Sequence, residues 1–89
     1  MQSEQLHATV AELERQLSES ASLDDQSRQA LEQALRDVRA ALAEQKPVEQ
    51  ERHTLIGRLR LAVERFEGTH PTLIGTLTRL IDGLVEMGI

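Results

Sequence analysis

Apolar side chains recur along this chain at alternating steps of three and four residues, a spacing that admits little besides α-helix. Leu6, Val10, Leu13 and Leu17 make one such run, and Leu31, Leu35, Val38 and Leu42 make a second. At 100° per residue each run projects as a stripe only about 60° wide, the a/d seam of a coiled coil. A strand would need alternation at steps of two, and none occurs.

Gly and Pro divide the chain into four such segments. The first covers roughly 3–19, with Ser3 as the expected N-cap; Ser18, Ser20 and Ser22 then weaken the helix and suggest a loop. The second covers 25–45. It opens on Asp24 or Asp25, whose carboxylate can accept from free backbone N–H groups and oppose the helix dipole. Ala30, Ala34 and Ala41 lie on one flank and allow a close neighbour. Pro47 ends this run, because the residue before a proline is pushed out of the α region; a loop there is expected over a kinked continuous helix.

The third segment, 49–67, carries Leu55, Ile56, Leu59, Ala62, Val63 and Phe66 on an arc of about 120°. Gly68 fits its C-terminal stop and Pro71 the first turn of a fourth helix, 71–87, capped by Thr69 or His70. That last segment is the most apolar. Its face of Leu73, Ile74, Leu77, Leu80, Ile81, Leu84, Val85 and Met87 is about 160° wide and should pack against two neighbours. The expected fold is all-α: four amphipathic helices in antiparallel hairpins, a helical bundle with coiled-coil-like character. Segments one and two should form the narrow-seamed hairpin, and segments three and four the core. At 89 residues the chain is a single domain that buries little surface by itself, so completion of the core by dimerisation is expected.

Composition removes several functions. There is no Cys, hence no disulfide framework and no zinc–thiolate site. Phe66 is the one aromatic, too few for a base-stacking platform, and a net charge of −5 opposes phosphate-backbone binding. Arg52, Arg58, Arg60 and Arg65 are matched in their segment by Glu49, Glu51, Glu64 and Glu67, so no net basic face arises. No secretory h-region follows Met1 and no uninterrupted apolar stretch is long enough to span a bilayer. A cytoplasmic protein with no nucleic-acid or membrane partner is expected.

The run Arg65-Phe66-Glu67-Gly68-Thr69-His70-Pro71-Thr72-Leu73 and the ending Met87-Gly88-Ile89 resemble a family of short bacterial proteins, the domain-of-unknown-function family 4404. The Leu23-Asp24 start of the Leu-rich second segment is similar as well; Asp25 departs from the Pro expected there. The resemblance covers nearly the whole chain and is most specific over 54–89. It implies a stand-alone helical protein of a bacterium and brings no activity, cofactor or catalytic residue.

Chemistry-bearing residues are few. Glu4-x-x-His7 and Glu67-x-x-His70 have the Glu-x-x-His spacing by which helical bundles grip metals. The second pair straddles a Gly–Pro break, and the first sits in a helix's opening turn. Glu4, His7 and His70 are therefore weak metal candidates beside a bland surface reading. No Gly-x-Ser-x-Gly elbow and no Gly-rich phosphate loop occurs, so no catalytic residue and no cofactor is assigned. Leu61 falls outside the apolar arc of its helix and, with Ile89, could mark a further contact surface.

The expected function is that of a non-catalytic helical protein acting through protein–protein contacts. It would form a homodimer, or dock a partner helix, through Leu6, Val10, Leu13, Leu17, Leu31, Leu35, Val38 and Leu42. The alternative is a metal- or ligand-binding four-helix bundle using Glu4, His7 and either Glu67 or His70.

Overall fold

The structure, a computed structural model, describes the backbone of residues 2–43 and 49–87 and the side chains of 4–43, 50 and 52–86. Within those residues the chain forms four helices and no strand: α1 (Gln2–Glu19), α2 (Asp25–Ala43), α3 (Glu49–Phe66) and α4 (Pro71–Met87). The bounds agree with the apolar spacing to within a residue or two. Ser3 is a correction: it lies inside α1 rather than capping it. The turn at Pro47 and the position of Ile89 lie outside the described residues.

The capping chemistry follows the sequence. Asp24 Oδ2 accepts a hydrogen bond from the Ser27 N–H at 3.1 Å, so Asp24 is the N-cap of α2. The Ser27 hydroxyl, joined by this N–H, holds the Asp24 carboxyl below its ordinary range. The Arg15 guanidinium does the same for Glu12 on α1. Gly68 takes φ 84° and stops α3, where an L side chain would be strained. The His70 carbonyl accepts from the Ile74 N–H at 3.1 Å, making His70 the N-cap residue before Pro71.

These pKa directions predict an acid limb to folding stability. Both carboxylates favour the charged form in the fold, so their contribution is complete above the unfolded carboxylate range. It is lost as pH falls through their lowered folded values. Thermal melts across pH should show this loss, and Asp24→Asn, which keeps an acceptor without the charge, should remove part of it.

Each helix packs against its sequence neighbours, and α4 also packs against α1, so the four close into a ring. With short α1–α2 and α3–α4 turns this is an up-down-up-down bundle. Its extents are 36 × 22 × 19 Å and its radius of gyration 12.3 Å, close to the roughly 12 Å expected of a self-contained domain this long.

The ring closure corrects the division into hairpin and core. Leu6, Val10, Leu13 and Leu17 of α1 and Leu31, Leu35 and Val38 of α2 are all buried in one core with Leu55, Leu59, Phe66, Leu73, Leu77, Leu80 and Leu84. A narrow seam suffices, because a helix in a closed bundle offers the centre only its a/d stripe while its neighbours cover the flanks. The seams expected to bind a second chain are thus filled by the chain's own α3 and α4; only Leu42 stays half-buried at the margin.

Arg28 ties the first hairpin. Its guanidinium donates to the carbonyls of Leu17, in the last turn of α1, and Ser20, just beyond it, which also accept the turn N–H groups of Ser20 and Leu23. Gly57 and Gly75, in contrast, lie exposed inside α3 and α4, and a Cβ built on either meets nothing within 4 Å. Gly57→Ala and Gly75→Ala are each expected to stabilise the fold by about 0.5–1 kcal/mol, through helix propensity alone. Urea unfolding followed by circular dichroism reads this directly.

Candidate interaction face

The helix flanks that meet between α2 and α3 are built from small residues. Ala30 and Ala34 face this side from α2 and Ala62 from α3, at steps that keep them on one flank. Side chains this short cannot fill the space between two helix surfaces. A groove of about 690 Å³ remains, floored by Leu31 and Phe66 and walled by Gln33, Leu61, Glu64 and Arg65.

Two cross-helix contacts bound it. Arg58 Nη1 donates to Asp37 Oδ2 at 2.5 Å towards one end. Arg65 Nη1 approaches the buried Ser27 hydroxyl at 3.4 Å towards the other. Both cations line the groove beside its apolar floor. Small-molecule sites usually pair an apolar wall with a few converging polar groups that orient the ligand. The lining here holds both, an apolar floor and the polar groups of Ser27, Gln33, Arg58, Glu64 and Arg65.

Leu61 stands on its edge. It is 65% exposed, while Leu59, two residues away, is fully buried. The other large exposed apolar residue among the described ones is Val85, at 41%, on α4. The sequence singled out Leu61 because it left the apolar arc of its helix. The groove itself could be found only as an alanine flank on α2, since its depth depends on what α3 presents opposite.

The metal candidates do not converge. Glu4 and His7 are exposed at the start of α1, beside the C-terminal half of α4. His70 is half-buried at the other end of the bundle, near Gln16 and Ser20. Ser20 lies thirteen positions beyond His7, about 20 Å along the axis of α1. His70 instead meets the Phe66 ring edge-on, with centroids 5.5 Å apart. Glu67 is exposed just before the Gly68 turn. No group of three His, Cys, Asp or Glu among the described residues is placed to hold a metal ion. No helix among them is long and apolar enough to cross a membrane.

The sequence profile of the domain of unknown function DUF4404 matches residues 6–89, which takes in all but the first turn of the bundle. The chain belongs to the DUF4404 family. Neither a curated protein nor a solved structure matches it. In this DUF4404 chain the matched region therefore includes both walls of the α2–α3 groove, and its chemistry has to be read from the residues themselves.

Proposed function

We propose that this DUF4404 protein is a non-catalytic interaction module of the cytoplasm that docks helical protein surfaces in the α2–α3 groove. The observation that carries this is the pairing of an alanine-lined groove with the exposed Leu61 on its edge, in a bundle where, among the described residues, Val85 is the other large apolar side chain left exposed. An isolated exposed leucine is ordinary on a protein surface. One that borders an unfilled apolar groove extends the apolar area a partner helix can cover, as in helix-in-groove recognition.

The test is capture from the source cells with the wild-type chain, Leu61→Glu and Val85→Glu, followed by binding measurements on the purified captured protein. Leu61→Glu places a charge at the groove, and Val85→Glu places the same charge on α4. Expected is a bound protein retained by wild type and Val85→Glu and lost by Leu61→Glu, with all three equally helical. Equal binding by all three would refute the assignment of the groove.

A further inference from the structure

We propose that the occupant of the α2–α3 groove is the same groove of a second copy, in a two-fold dimer whose axis runs along it. This rests on reading the groove as a helix-docking face, and it names the partner.

The argument is one of register. Asp37 meets Arg58, and Ser27 meets Arg65, across the antiparallel α2 and α3. These pairs mark equal heights along the groove. Leu61 lies between Arg58 and Arg65 on α3, and Ala30 and Ala34 lie between Ser27 and Asp37 on α2. Leu61 and the two alanines therefore share one level.

A half-turn about an axis along the groove exchanges α2 and α3 at constant height. It sets Leu61 of each copy over Ala30 and Ala34 of the other, a large side chain against a small-residue hollow. It also sets Arg58 of each copy over Asp37 of the other. Four charges then alternate in sign around the axis, and each guanidinium has a second carboxylate within reach. An isologous interface requires that one surface carry both halves of every contact. This face carries both: the protruding leucine and its hollow, the cation and its anion, at matching heights.

The charge balance agrees. The whole chain carries −5, yet Arg58 and Arg65 offset Glu64 and Asp37 around the groove, so the face is locally neutral. Two copies can meet there without the like-charge opposition that the rest of an acidic surface would impose.

The experiment uses the purified chain alone. Light scattering over a concentration series reaching the millimolar range should show the mass rise from 10.0 kDa towards twice that value, and Leu61→Glu should hold it at 10.0 kDa. The chain has no Cys, so single-Cys variants report proximity cleanly. An oxidised mixture of Leu61→Cys and Ala30→Cys should give the mixed disulfide in excess of either self-linked product. A mass fixed at the monomer value through the series overturns the proposal. So does a dimer that survives Leu61→Glu, or one in which Leu61→Cys links mainly to itself. A monomer here, combined with a foreign protein lost by Leu61→Glu in the capture experiment, would leave the docking groove standing and remove only the second copy.

Discussion

Leu59→Ala is expected to destabilise the fold by about 2–5 kcal/mol, the range for deleting a fully buried leucine side chain. Leu59 has no exposed surface and lies in the core with the α4 leucines Leu73, Leu77 and Leu80, so its removal leaves a cavity lined on several sides. Domains are stable by only about 5–15 kcal/mol, and short chains lie towards the lower end. The loss is therefore a large share of the total. At roughly 4–8 °C per kcal/mol for a domain of this size, the melting midpoint should drop by at least about 8 °C. Leu61→Ala is the internal control. It is the same substitution two residues along the same helix, at a side chain 65% exposed, and at high dilution should change stability by no more than about 0.5 kcal/mol. Equal effects at the two positions would contradict the orientation of α3, and with it the placing of Leu61 on the groove edge.

Gly83→Val is expected to destabilise the α1–α4 side. A Cβ at Gly83 would come 2.3 Å from Leu6 Cδ2, well inside contact distance, and Leu6 is itself buried. Overpacking of this kind costs about 1–3 kcal/mol, and valine adds two methyl groups to the clash. The gain from replacing a helical glycine with valine, itself a poor helix former, is only about 0.3–0.5 kcal/mol and is too small to offset it. The cause can be isolated with a double-mutant cycle. Gly83→Val should cost less in a Leu6→Ala background, because the displaced atoms are gone. Additive effects in urea unfolding would show that α1 and α4 do not meet there. The contrast with Gly57 and Gly75 is instructive: three helical glycines look alike in sequence, and only the neighbours across the helix interface separate a needed one from two replaceable ones.

These outcomes bear on function through geometry. The α2–α3 groove is open because these helices face each other with alanines, whereas on the α1–α4 side Leu6 packs against Gly83 beside a smaller cavity of about 460 Å³. A bundle whose faces were all sealed would offer a partner only polar surface. Among the described residues, Leu61 is the large exposed apolar side chain that borders the α2–α3 hollow.

Most of the fold is legible in the chain itself. Apolar steps of three and four place the helices, and the cap at Asp24, the stop at Gly68 and the start at Pro71 bound them, because caps, stops and periodicity are local.

What only the tertiary structure decided is how the faces pair. The seams of α1 and α2 have the pattern of a surface awaiting another chain, and pattern alone does not say whether the partner helix is in the same molecule. Closure of α4 onto α1 answers that: a stripe of four side chains is buried as well by the chain's own helices as by a second copy. The same closure moves the candidate interface from the strongest apolar pattern to one of the weakest, an alanine flank and a lone leucine. A groove is a property of two surfaces held at a fixed distance, and no one-dimensional spacing records that distance.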